Sequence, residues 1–150
     1  MIIVLLIIAA VIFAEIKIKK HIESLPEESF PVQKLGGRVH IERAHNPGLI
    51  MGFLGKKQAL ANALSACAML AVLVYTAVRC VKGLSLLAKI GWGLILGGGI
   101  ANIYDRVKHG YVTDYVRFPG AKIKKLRKII YNVGDFCVFL GAILAAIFDR

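Results

Sequence analysis

The stretch from Ala59 to Val78, ALANALSACAMLAVLVYTAV, runs for twenty residues without a charge. A helix rises about 1.5 Å per residue, so this run matches the roughly 30 Å hydrocarbon core of a bilayer. It is the cleanest span in the chain. Moving outward, Leu84 to Tyr104 is a second apolar run, interrupted by Lys89 at its entry and carrying Gly91, Gly93 and Gly97-Gly98-Gly99. Small residues let helices approach closely in lipid. At the ends of the chain, Met1 to Ile16 opens with no positive charge, and Ile129 to Phe148 holds Asn132 and Asp135 in its first two turns. The first run lacks the basic n-region of a secretory signal peptide. It is expected to be a retained span that continues through Lys17 to Lys20, whose long stems snorkel. These runs predict a single-domain, all-α membrane protein with four transmembrane helices at about 1–20, 59–78, 84–104 and 129–148.

Composition agrees. Of 150 residues, 57% are hydrophobic and only 19% charged, with a mean hydropathy of +0.67. That much apolar surface rules out disorder and argues against a small water-soluble domain. The net charge of +11 points to nucleic acid or anionic lipid. Long apolar runs separate the basic clusters, which favours lipid over nucleic acid. Cys67, Cys80 and Cys137 form no CxxC and are expected as small buried residues. His40 and His45 share a loop, but His21 and His109 have no ligand-like spacing to them, so no metal site is expected.

Between the first two spans, Gly36-Gly37-Arg38-Val39-His40-Ile41-Glu42-Arg43 alternates like a half-buried strand after a turn. Before the last span, Ile123, Leu126, Ile129 and Ile130 fall at helical spacing among lysines and arginines. That segment is either an amphipathic helix on the membrane surface or a solvated basic loop. Four spans put both large loops on one side. Residues 17–57 and 106–128 each hold eight Lys+Arg, against three in 79–89 and one at the C-terminus. The positive-inside rule places those two loops in the cytoplasm.

A carboxylate at membrane depth is costly and points to function. Glu15 stands four residues before Lys19, the spacing of an intrahelical ion pair. Asp105 beside Arg106 reads as a helix-end pair, and Asp149 as a solvated terminal residue. Asp114 lies in a β-prone run just beyond the third span, and Asp135 sits near the same membrane face. Two carboxylates a few Å apart share a proton. The neutral one can polarise a carbonyl while the ionised one activates water. The alternative is that each acid pairs separately with Lys or Arg.

Five motifs occur in one order along the chain. Glu15 to Lys19 matches D-x-x-x-K, with Glu for Asp. His45-Asn46-Pro47-Gly48-Leu49-Ile50-Met51-Gly52 resembles N-x-G-A-A-F-G. Gly97-Gly98-Gly99-Ile100-Ala101-Asn102-Ile103-Tyr104-Asp105-Arg106 is similar to G-G-A-x-G-N-x-x-D-R. Gly110-Tyr111-Val112-Thr113-Asp114-Tyr115 resembles G-x-V-V-D-F, and Tyr131-Asn132-Val133-Gly134-Asp135 resembles F-N-x-A-D. Together they resemble the lipoprotein signal peptidases (signal peptidase II). The departures include Leu49-Ile50-Met51 for Ala-Ala-Phe, which would reshape the substrate pocket, Ala101 for Gly, Gly134 for Ala and Glu15 for Asp.

The resemblance implies a four-helix membrane aspartyl peptidase with a small extracytoplasmic β-cradle and no metal or other cofactor. Such an enzyme sits in the bacterial inner membrane and cuts prolipoproteins before a diacylglyceryl-modified cysteine. By motif, Asp114 and Asp135 are the catalytic pair. Asn46, Gly48, Asn102, Arg106 and Asn132 bind substrate, and Asp105, Glu15 and Lys19 support the site. The expected partners are the lipidated substrate and membrane lipids, with the chain acting as a monomer. The family places both large loops outside, against the charge count. The competing class is a non-enzymatic small membrane protein or a transporter subunit relaying protons through Asp135.

Overall fold

The computed structural model describes residues 1–48 and 57–150. Four helices carry most of the chain: α1 (Ile2–Ser24), α2 (Gln58–Lys82), α3 (Leu86–His109) and α4 (Val133–Phe148). Four short strands, β1 (Val32–Lys34), β2 (Val39–Asn46), β3 (Val112–Arg117) and β4 (Ile130–Tyr131), form one antiparallel sheet in the order β1-β2-β3-β4. The protein is mostly helical, with a small sheet at the end of the bundle where α1 and α3 finish and α4 begins.

α3 is the central helix and packs against α4, α1 and α2. Its glycines explain how. Successive residues turn by about 100° on a helix, so Gly97, Gly98 and Gly99 face three directions. A methyl group at Gly97 would lie 2.7 Å from Val11 Cβ of α1. At Gly98 it would strike the Gly134 carbonyl of α4, and at Gly99 the Met69 sulfur of α2. Each glycine admits a different neighbour. α3 opens with a Ser85 cap, whose side chain accepts from the Ala88 N–H at 3.2 Å. It ends at Gly110, in the left-handed region at φ 83°, which turns the chain straight into β3.

Among the described residues, two helices, Gln58–Lys82 and Leu86–His109, are long and apolar enough to cross a membrane. This is fewer than the four spans expected, for two physical reasons. α1 carries Glu15, Lys17, Lys19 and Lys20 in its second half, which interrupts its apolar run. α4 has only 16 residues, because Ile130 and Tyr131 pair with β3 and Asn132 caps the helix, so it starts at Val133 rather than Ile129. The outward faces of the helices are apolar, with Leu70, Val74 and Phe139 all more than half exposed.

The basic segment before α4 takes the loop form of its two alternatives and no α-helix. It is a run of turns with one 3₁₀ turn at Leu126–Lys128, leaving Ile123 61% exposed. Asp149 is not solvated: its carboxylate holds Arg79, accepts from Trp92 Nε1 at 2.8 Å and from the Tyr75 hydroxyl at 3.0 Å. This latch ties α2, α3 and α4 at the end remote from the sheet. Cys67 is exposed on α2, while Cys80 and Cys137 are only partly covered, because these faces of α2 and α4 point away from the α3 core.

The close approach of α3 and α4 makes a direct prediction. Gly98→Ala forces backbone apart and should cost about 1–3 kcal/mol, read as a lower Tm in detergent. Gly120→Ala, where nothing lies within 4 Å of the added carbon, should leave Tm unchanged.

Candidate active site

β3 and the first turn of α4 bring Asp114 and Asp135 together around one residue, Asn132. The antiparallel register of β2 and β3 sets Asn46 opposite Val112 and Ala44 opposite Asp114, with an irregularity between Ile41 and Ala44. Asn132 is the N-cap of α4 and is fully buried. Its side-chain oxygen accepts from the Asp135 N–H at 2.9 Å, and the Asp135 carboxylate accepts from the Asn132 N–H at 3.1 Å. This reciprocal box satisfies two donors at the helix start and fixes the Asp135 rotamer. The Asn132 amide nitrogen then reaches across to Asp114 Oδ1 at 2.7 Å.

Each of the four carboxylate oxygens is met by one neutral donor. Asp114 Oδ1 takes Asn132, and Asp114 Oδ2 takes the Asn46 amide at 3.2 Å. Asp135 Oδ1 takes the Asn102 amide at 3.1 Å, and Asp135 Oδ2 takes the Asn132 backbone. Asn132 Nδ2 also donates to Asn102 Oδ1 at 3.2 Å. Asn46 further accepts the Gly48 N–H at 3.0 Å, and the Gly48 carbonyl receives Arg106 Nη2 at 2.8 Å. The motif residues Asn46, Gly48, Asn102, Arg106 and Asn132 therefore form one connected network around the two acids.

Asp114 is 4% exposed, whereas Asp135 is half-buried. Burial, reinforced by the neighbouring Asp135 charge, pushes the Asp114 carboxyl up to about 6. An acid held above the ordinary carboxylate range beside a second carboxylate is the electrostatic condition for a shared proton.

Of the two local pairs expected, one holds and one does not. Lys19 keeps the Glu15 ion pair at 3.8 Å, lies closer to Asp105 at 2.9 Å and donates to Asn102 Oδ1 at 2.8 Å. Asp105 pairs with α1, not with Arg106, and accepts the Thr113 N–H at 3.3 Å. Glu15 is fully buried and bonds the Gly134 N–H and the Tyr115 hydroxyl. Arg106 Nε and Asn62 Oδ1 find no partner among the described residues, and both line a cavity of about 260 Å³ between α2 and α3. Leu49, Ile50 and Met51, the substitutions expected to reshape the pocket, lie outside the described residues.

Sequence reasoning missed Glu23 and Tyr115. Glu23 accepts from the Thr113 hydroxyl at 2.7 Å and lies 2.9 Å from His45 Nε2, stitching α1 to the sheet. Its signal was slight, one acid in a polar stretch. Tyr115 had a signal: it puts a hydroxyl where the motif has phenylalanine.

The family described as signal peptidase (SPase) II matches residues 4–149. The chain belongs to that family. It is therefore a protease, and the family is of the aspartic type. A lipoprotein signal peptidase of Moorella thermoacetica is 28% identical over 122 residues, covering 79% of this chain and 72% of the relative. One from Mesorhizobium japonicum is 28% identical over 145 residues, covering 95% and 83%. A solved bacterial membrane enzyme aligns with a TM-score of 0.80 at 20% identity, covering 96% of this chain and 85% of that one, and so shares the fold. The signal peptidase II motifs fall on the residues that surround Asp114 and Asp135.

The carboxyl coupling is measurable. Asp135→Asn removes the like charge beside Asp114, so the Asp114 carboxyl should titrate below its value of about 6. Carbon-detected NMR titration of carboxyl-labelled protein in micelles reads the shift.

Proposed function

We propose that this signal peptidase removes signal peptides from bacterial prolipoproteins by cutting before the diacylglyceryl-modified cysteine, with Asp114 and Asp135 as its catalytic pair. The observation that carries the reading is the joining of both acids through Asn132, which bonds Asp114 by its side chain and Asp135 by its backbone. Asp114, the more enclosed acid, holds the proton and gives it to the scissile carbonyl oxygen. Ionised Asp135 takes a proton from the attacking water, whose oxygen bonds the carbonyl carbon. Asp135 then passes its proton to the amide nitrogen as the C–N bond breaks. The hydroxyl of the tetrahedral intermediate returns its proton to Asp114 as the new acid forms. Charges balance throughout, with no metal or other cofactor.

Asn46, Asn102, Asn132, Gly48 and Arg106 hold the peptide. Arg106 suits this role because it lines the α2–α3 cavity and its guanidinium is anchored on the Gly48 carbonyl. Asp105, Lys19 and Glu15 support the site from α1 and α3. All four helices cross the membrane in this reading. The 16 residues of α4 reach about 24 Å, close to a thin hydrocarbon core. The chain acts as a monomer in the bacterial inner membrane, among its lipids, with the sheet and dyad on the extracytoplasmic face. The lipid anchor on the substrate cysteine keeps the scissile bond at the membrane surface, where the sheet meets the bundle. The Lys and Arg residues of the outer loops are held in ion pairs such as Arg117–Glu42 or lie at lipid head groups.

The reading is tested by gel-shift cleavage of a diacylglyceryl-prolipoprotein with purified protein in detergent. Asp114→Asn and Asp135→Asn should each abolish cleavage in folded protein, and near-normal turnover in either would overturn the dyad. Asn46→Ala and Arg106→Ala should lower kcat/KM by roughly 5- to 150-fold per folded molecule, the loss of about 1–3 kcal/mol of hydrogen bonding. Normal specific activity with a reduced Tm would assign them to structure instead. For topology, cysteines placed at Ser29 and Lys124 in a cysteine-free background should react with an impermeant thiol reagent in intact cells. Labelling only after lysis would restore the positive-inside placement.

A further inference from the structure

Three departures from the family motifs touch one another in space. Glu15 stands for Asp, Tyr115 for Phe and Gly134 for Ala, on α1, β3 and α4 respectively. Nothing in their sequence positions connects them, yet all three meet at the first turn of α4, the turn that carries Asp135.

The first backbone N–H groups of a helix have no partner within it and must find one when buried. In α4 the first three are taken by three different side chains. The Val133 N–H donates to the Tyr115 hydroxyl at 3.1 Å. The Gly134 N–H donates to Glu15 Oε1, and the Asp135 N–H to Asn132 at 2.9 Å. The Tyr115 hydroxyl, accepting from Val133, donates onward to Glu15 Oε2 at 3.3 Å. Glu15 is 0% and Tyr115 3% exposed, so water replaces neither contact.

The sizes are complementary. Glu reaches one methylene farther than Asp, and its carboxylate crowds the side of Gly134 where an alanine methyl would sit. A Cβ there would lie 3.0 Å from Asn132 Oδ1, 3.1 Å from Glu15 Oε1 and 3.1 Å from the Gly98 carbonyl oxygen. The hydroxyl that Tyr adds to Phe is the atom that links Val133 to the longer acid. A longer acid, an added hydroxyl and a deleted methyl are thus one steric and hydrogen-bonding exchange, made across three elements.

We infer that Glu15, Tyr115 and Gly134 are a single interlocking positioning unit that sets the angle of the α4 first turn, and through it the place of the Asp135 carboxylate. None of the three bonds either acid of the dyad; they act through the Val133 and Gly134 backbone. The inference rests on Asp135 being catalytic. A misplacement of about 1 Å at a reacting group costs on the order of a hundredfold in rate, whereas substrate contacts made elsewhere are untouched.

The test compares Glu15→Asp, Tyr115→Phe and Gly134→Ala singly with the triple variant, in kcat and KM per folded molecule, on a diacylglyceryl-prolipoprotein in detergent. Each single should lower kcat by about ten- to a hundredfold with KM little changed. The triple, which restores a matched set, should be at least as active as the weakest single instead of showing the product of the three losses. Singles with unchanged kcat, or a triple whose losses multiply, would overturn the unit. If Glu15→Asp or Gly134→Ala does not fold, Tyr115→Phe, which deletes one oxygen, decides alone: a kcat loss at constant KM supports the unit, and no loss overturns it. Wild type and Asp135→Asn run alongside. A wild type that does not cleave, or an Asp135→Asn that does, brings down the dyad reading and this inference together. An active wild type, an inactive Asp135→Asn and unaffected singles bring down this inference alone.

Discussion

Two carboxylates enclosed at the end of an apolar bundle must have every oxygen satisfied, and the rest of the site follows from how that is done. Charged partners placed directly on both acids would hold them ionised. This protein uses neutral amides instead: Asn46, Asn102 and Asn132, with one backbone N–H, supply one donor to each of the four oxygens. Amide donors stabilise a carboxylate by less than an ammonium or guanidinium does. Burial and the neighbouring acid therefore keep Asp114 able to hold a proton. The cations stand one step back, with Lys19 on Asp105 and Asn102, and Arg106 on Gly48.

That arrangement requires β2, β3, α3 and the start of α4 to meet within hydrogen-bond distance, which explains the packing. α3 supplies Asn102, Asp105 and Arg106 from its last turns, and its glycines let α1 and α4 come close enough for Lys19 and Asn132 to reach them. The Lys19–Asp105 pair is buried on both sides, so removing Lys19 would strand the Asp105 charge at a cost of about 3–5 kcal/mol. The Asp149 latch, also polar, does the corresponding work at the other end of the bundle.

What could be read in the sequence divides along local and non-local lines. The uncharged run at Ala59–Val78 needed only hydropathy, and the strand after Gly36-Gly37 only alternation and turn residues. The site residues were legible as motifs in order. Partner choice was not. Lys19 keeps its helical neighbour Glu15 at 3.8 Å, but its shorter contact, 2.9 Å to Asp105, comes from a helix that nothing local in the sequence brings near. Asp149 looked solvated because nothing near it in sequence hints that Tyr75, Arg79 and Trp92 converge there. α4 starts four residues late because a two-residue strand and an asparagine cap compete for the same chain. Ile123, Leu126 and Ile130 share helical spacing, but Ile130 pairs with Arg117 in the sheet and Ile123 stays exposed, so the period is unused.

The three adjacent glycines of α3 differ in how a loss could be repaired. At position 99 the obstacle is the Met69 side chain, so a methyl there can be answered by a shorter residue on α2. At 97 the nearest atom is the Val11 Cβ, which only glycine at position 11 would remove. At 98 the obstacle is a peptide carbonyl of α4, which no change of residue removes. Repair is thus open at 99, confined to a single residue type at 97, and closed at 98. The helix that carries Asp135 is therefore tied to α3 by a contact with no second-site suppressor among its side chains.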